Sequence, residues 1–231
     1  MQQLHNLREA WKKTRVQHIN LLRGILRELG VAAPSSTQAF LRQACELIER
    51  PEVCALRGAL QMVLAEISLC EQSMRDSEEQ LARWHADDDI VHKLDEVSGI
   101  GLLTASALKT AVGKPERFAS GRHLSAWLGM TPNEYSSGER RRLGCISCKG
   151  NTYVRTLLIH GARAALLAAK RCQTRTPERL TQLQRWALQT AERIGHNKAA
   201  VALANKLVRI CWAVWCHERR FSGDWQSARP A

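Results

Sequence analysis

The chain has 231 residues, with 34 Lys and Arg against 22 Asp and Glu, a formal net charge of +12. Hydrophobic residues make up 45 %, which excludes wholesale disorder, and a chain of this length buries a core as one elongated domain or two small ones. No apolar run approaches the roughly 20 residues that span a bilayer, and the opening MQQLHNLREAWKK lacks the apolar stretch of a secretory signal. A soluble, cytoplasmic, basic protein with no membrane partner is expected.

Only 14 Gly and 6 Pro occur, while Ala, Leu, Arg and Gln abound, so a mostly α fold is predicted. The first helix should span 3–29, where Leu4, Leu7, Trp11, Ile19, Leu22, Ile25, Leu26 and Leu29 follow helical spacing and Gly30 stops it. A second, over 37–49, ends before Pro51, because the residue ahead of proline is pushed out of the α region. Val53, Leu56, Leu60, Val63, Ile67, Cys70, Met74, Ser77, Leu81 and Trp84 then recur at alternating spacings of three and four, with Ser77 the one polar member. This 3.5-residue period reads as coiled coil, folded back on the first helix or paired with a second subunit. A homo-oligomer through the 53–84 helix is therefore expected.

Charge then reverses along the chain. Residues 71–96 hold nine acids against three bases, whereas 140–177 hold nine bases and no acid. Eight of the fourteen glycines fall between Gly99 and Gly150, so a loop-rich, basic middle is where function is expected. After Asn151 helices resume, with Tyr153, Val154, Leu157, Leu158 and Ala162 on one face, then Leu180, Leu183, Ala187 and Ile194. The last carries Val201, Ala204, Leu207, Val208, Cys211, Trp212 and Trp215. The division expected is a helical, coiled-coil segment over 1–88, a small helical domain over 89–221, and a frayed tail over 222–231.

Two segments carry chemistry. LDEVSGIGLLTASAL, residues 94–108, has the pattern of a helix-hairpin-helix element turning on Gly99 and Gly101. Glycines let backbone approach a ligand, and the following helix presents free N–H groups and its positive dipole end to a phosphate. TPNEYSSGERRRLGCISCKGN, residues 131–151, sets a serine pair beside Gly138, then Arg140, Arg141, Arg142 and Lys149. Arginines neutralise charge that develops on a phosphodiester under attack by a hydroxyl, and glycine leaves room for the phosphate. Taken alone, Ser-Gly ahead of a basic run is also an ordinary surface turn. Cys145, Cys148, Cys211, Cys216 and His217 could supply four zinc ligands, but Cys211 and Cys216 lie in an apolar helical run where Cys is a core residue. No metal site is expected, and the eight cysteines should be reduced.

The stretches VSGIGLLTASAL, FASGRHLSAWLGMTPNEYSSGERRRLGCIS and KGNTYVRTLLIHGARAAL closely resemble the C-terminal domain of the insertion sequence 110 / 116 / 902 transposase family. The helix LHNLREAWKKTRVQHINLLRGILRELG resembles the segment that follows this family's catalytic domain. The resemblance implies a DNA recombinase that mobilises an insertion sequence, with insertion-sequence ends and target DNA as partners, a guide RNA encoded by the element, and a nucleoid-associated location. It implies that the nucleophile is Ser137, with Ser136 the less favoured neighbour. It assigns nucleic-acid contacts to Gly99, Gly101, Arg140, Arg141, Arg142, Lys149 and Arg155. Ser98 and Cys148 depart from the family, which often has proline and a basic residue there. The family's other domain is RNase H-like, with four acids and bound metal, and has no counterpart after Met1. The chain is thus expected to bind no cofactor itself, with magnesium belonging to that missing domain, and to be inactive alone. The competing expectation is a non-enzymatic, self-associating, nucleic-acid-binding remnant.

Overall fold

The computed structural model describes residues 1–138, 140 and 142–224. Among them the chain is mostly α-helical and forms two compact units, Met1–Trp84 and His85–Ala231, the second described to Asp224.

In the first unit, α1 (Gln2–Glu28) is followed by α2 (Thr37–Ile48), a 3-10 turn Pro51–Leu56, and α3 (Arg57–Trp84). The periodic run that begins at Val53 opens as this 3-10 turn rather than as α-helix, because Pro51 at its start supplies a fixed φ and no N–H. Leu60, Ile67, Cys70, Ser77 and Leu81 of α3 are buried, as are Ile19, Leu22 and Leu26 of α1. Ion pairs Arg8–Glu78 (2.6 Å) and Arg15–Glu71 (2.7 Å), and the contact of His18 Nε2 with Glu66 (3.3 Å), climb α1 as they descend α3, so the two helices are antiparallel. Ser77 sits in the apolar seam because its Oγ donates to the Ser73 carbonyl at 2.7 Å, which satisfies the hydroxyl inside its own helix.

The seam therefore closes against α1 within one chain, the first of the two arrangements that the spacing allows. Leu60→Asp should accordingly unfold this hairpin rather than split an oligomer. An unpaired carboxylate there costs several kcal/mol. Circular dichroism should show lost helix, and a smaller particle with full helicity would contradict the assignment.

The second unit contains α4 (Asp89–Asp95), α5 (Leu102–Val112), α6 (Gly121–Trp127), a hairpin of β1 (Pro132–Glu134) and β2 (Leu143–Ile146), α7 (Thr152–Arg175), α8 (Gln182–Ile194) and α9 (His196–Cys216). The central helix is α9, against which α4, α6, α7 and α8 pack. Its Leu203, Leu207, Val208 and Cys211 share a core with Leu94, Leu108, Leu124, Leu128, Val154, Leu158 and Leu166. Burial in that core pushes the Cys211 thiol up to about 12, so it is an inert packing residue. By length and composition, 51–84 and α9 would suffice to cross a membrane, but α9 spends its apolar surface on this core. Of the tail expected to fray, two described residues bond the start of α8, where Gly223 O accepts from Leu183 N at 3.1 Å and Asp224 Oδ1 from Gln182 N at 3.0 Å. Residues 225–231 lie outside the described set.

Asp88 fastens α4 to α5. Its carboxylate caps α4 by accepting from Val91 N, and it pairs with His85 Nδ1 at 3.0 Å and with Lys109. Burial opposes its ionisation, yet hydrogen bonds from Lys109, His85 and the Val91 amide, with the charge of Lys109, hold its pKa at about 2, below the usual 3.8. A depressed carboxylate adds stability that is present above its unfolded pKa and lost as pH falls through the folded one. The contribution is about 2 kcal/mol. Asp88→Asn should thus lower stability at neutral pH, and urea melts should show the gap to wild type narrowing between pH 4 and 2.

Candidate nucleic-acid interface and serine hairpin

Ser137 lies at the tip of the β-hairpin. Pro132 pairs with Ile146 and Glu134 with Leu143, Tyr135 N donates to Arg142 O at 2.8 Å, and Ser137 and Arg140 form the last bridge. Gly138 opens the turn with φ +56°, the left-handed backbone that primed hairpin turns need at their first central residue. This hairpin went unrecognised in the sequence, although Ser-Gly between two short β-compatible runs was its signal.

The two serines are in different situations. Ser136 Oγ donates to Glu134 Oε1 at 2.7 Å and accepts from Arg142 N at 3.1 Å, so it braces the hairpin. Ser137 is exposed, and its hydroxyl has no hydrogen-bond partner among the described residues. Arg140, Arg142 and Lys149 are exposed around the hairpin, while Arg141 lies outside the described residues. Further cations are exposed along α7. Arg163 and Lys170 are exposed one heptad apart, with Arg171 beside them, and no ion pair engages any of them among the described residues.

The hairpin's base is clasped to the end of α6. Cys148 N donates to Gly129 O at 3.1 Å, and Ser147 N to Thr131 O at 2.9 Å. Gly129 and Gly150 both have positive φ, and a Cβ on either would overlap a carbonyl oxygen, Lys149 O for the first and Trp127 O for the second. Arg155 completes the clasp. Only 7 % exposed, it donates from Nη1 to Leu128 O at 3.1 Å and Lys149 O at 3.4 Å, and from Nη2 to Thr152 Oγ1 at 3.1 Å. A guanidinium spent in this way does not face a nucleic acid. Its sequence assignment is therefore corrected to a structural one, because a charge in a sequence does not reveal its burial.

The two glycines between α4 and α5 also separate. Gly99, at φ +94°, faces α7, where a Cβ would meet Ala165 Cβ and Gly161 O at 2.9 Å, so its close approach is to another helix and not to a ligand. Gly101 is exposed at the N-cap of α5, with space around it. Among the described residues, no three His, Cys, Asp or Glu side chains come together to hold a metal.

Residues 91–177, from within α4 to just past α7, match the family described as the Transposase IS116/IS110/IS902 family. Over these residues the chain is similar to a transposase domain of that family. Over 222 residues the chain is 35 % identical to a "Probable family 20 transposase" of Pseudomonas aeruginosa, covering 94 % of this chain and 64 % of that protein. It is 32 % identical over 227 residues to the "Transposase for insertion sequence element IS1328" of Yersinia enterocolitica, covering 96 % and 64 % respectively. Identity to the "Transposase for insertion sequence element IS1111A" of Coxiella burnetii is 32 % over 225 residues, 96 % of this chain and 60 % of the relative. The chain spans about three fifths of the length of these curated relatives. Within it, the matched region contains the whole hairpin, the clasp and the exposed cations of α7.

Proposed function

We propose that this chain is the DNA-acting part of a transposase that mobilises an insertion sequence, and that Ser137 Oγ is its nucleophile. The observation that carries this reading is the division of labour between the serines: Ser136 holds the hairpin together, while Ser137 is exposed at its tip with no side-chain hydrogen bond among the described residues. In the step proposed, Oγ bonds to the phosphorus of a DNA phosphodiester, the bond from phosphorus to a sugar oxygen breaks, and the hydroxyl proton leaves to a base. Arg140 and Arg142 can steady the charge on the phosphate oxygens but cannot be that base, because a guanidinium stays protonated. The setting is the cytoplasmic nucleoid, with insertion-sequence ends, target DNA and a guide RNA as partners. Self-association through α3 then uses its outer row, where Met62 is 68 % and Leu69 66 % exposed.

DNA contact is assigned to Arg140, Arg142, Lys149 and the exposed cations of α7, with Gly101 at the start of α5 as a further backbone contact. Each neutralised phosphate releases counterions, so affinity falls steeply with salt. Changing Arg140, Arg142 and Lys149 to Ala should flatten the log–log salt slope by about 2 to 3. Arg155→Ala should instead leave the slope unchanged and cost about 3 kcal/mol of stability, because two carbonyls lose a charged donor inside the fold. Fluorescence anisotropy across a salt series, with thermal melts of the same variants, separates the two. An unaltered slope after the triple change would reject the assignment.

A further inference from the structure

At the other end of α6 from the hairpin lies a cavity of about 930 Å³, bounded by α6, α8, α9 and residues 217–223. Arg122, Lys206 and Arg209 line it, joined by Arg219 and Arg220, and no lining residue among the described ones is acidic. Gathering cations without a carboxylate is unfavourable unless an anion completes the set. Gly121 permits the gathering, since a Cβ there would meet Arg209 Cα at 2.8 Å, and so α6 lies close enough to α9 to bring Arg122 beside Arg209.

Lys206 and Arg209 are partly buried, whereas Arg122, Arg219 and Arg220 are exposed at the rim. Lys206 Nζ stands 4.1 Å from the centre of the Trp186 ring, which orients the ammonium without neutralising it. Arg209 Nε is buried and has no hydrogen-bond partner among the described residues. Burial, and then the charge of Arg122, pull the Arg209 guanidinium below its usual pKa, and burial and then Arg209 do the same to Lys206. Trp212 offers a flat apolar wall, its ring fixed by Nε1 donating to Pro115 O at 3.2 Å, and Phe221 lines the same space. A group of cations beside a fixed aromatic wall, in a volume typical of small-ligand sites, suits one chemistry: a phosphate attached to a planar ring.

We propose that this cavity binds one unpaired nucleotide of a single-stranded nucleic acid, its phosphate on Arg122, Lys206 and Arg209 and its base against Trp212. The site is separate from Ser137 and reads a different form of nucleic acid from the duplex surface of α7. Duplex nucleotides keep their bases stacked on one another and cannot offer one to the wall, so the cavity selects single strands.

The test measures binding of labelled oligo-U, oligo-dT and a DNA duplex to the whole chain. Changing Lys206 and Arg209 together to Gln should weaken both single-stranded probes by about tenfold or more while moving duplex affinity less than about twofold. The serine assignment is read by the covalent adduct and not by these affinities, so its failure and the failure of this one are distinguishable. Arg122→Gln, on an exposed side chain, should weaken single-strand binding in the same direction and stands in if the double variant misfolds. A mononucleotide should displace the probes at lower concentration than inorganic phosphate does. Tighter binding of oligo-U than oligo-dT would identify RNA as the occupant, and the reverse would identify single-stranded DNA. Unchanged single-strand affinity, an equal loss on duplex, or equal potency of mononucleotide and inorganic phosphate would overturn the proposal.

Discussion

Ser137→Ala is expected to abolish the covalent protein–DNA adduct in an assay that supplies insertion-sequence ends, the element's RNA and the family's acidic domain in trans. Without Oγ no bond to phosphorus can form, and the neighbouring Ser136 cannot substitute while its hydroxyl is tied to Glu134 and to the Arg142 amide. Ser136→Ala removes those two bonds instead. It should loosen the hairpin by about 1 kcal/mol and leave adduct formation within roughly tenfold of wild type. Denaturing gels of the three proteins report all of these outcomes.

The second large effect concerns glycine. Gly129→Ala and Gly150→Ala should each cost several kcal/mol, because the new Cβ meets a backbone carbonyl that no rotamer change can move, and both residues have positive φ. The damage should extend to function, since residues 147–150 bind the base of the hairpin to the end of α6. Gly138→Ala makes a useful contrast. It strains a positive φ as well, but a Cβ there meets nothing within 4 Å, so the loss should be nearer 1 kcal/mol. Thermal melts of the three variants would order them. Equal losses at Gly129 and Gly138 would mean that the clasp contributes little.

Much of the helical framework was legible because burial imposes a period. The seam at Leu60, Ile67, Cys70 and Leu81 is visible in the sequence as spacings of three and four, and those residues are buried. What covers them was not legible, since an apolar stripe looks the same whether it meets α1 or another copy of the chain. The hairpin escaped for the opposite reason. Its strands are three and four residues long and mostly exposed, so no alternation of burial is written into them. Arg155 and Gly99 were misread because their types suit a phosphate, whereas their surroundings are the Leu128 and Lys149 carbonyls and Gly161. The cavity around Arg209 was invisible in the sequence, since Arg122 and Lys206 meet there only through the packing of α6 on α9.

The central claim is that a single hydroxyl at the hairpin tip joins DNA, and mapping the adduct tests it most directly. Trypsin should release residues 123–140 as one peptide, HLSAWLGMTPNEYSSGER, which holds Ser137 together with Ser136 and Tyr135. After nuclease digestion of the trapped complex, fragmentation of that peptide by mass spectrometry should place the nucleotide remnant on Ser137. A remnant on Tyr135, on Ser136 or on any other peptide would contradict the account.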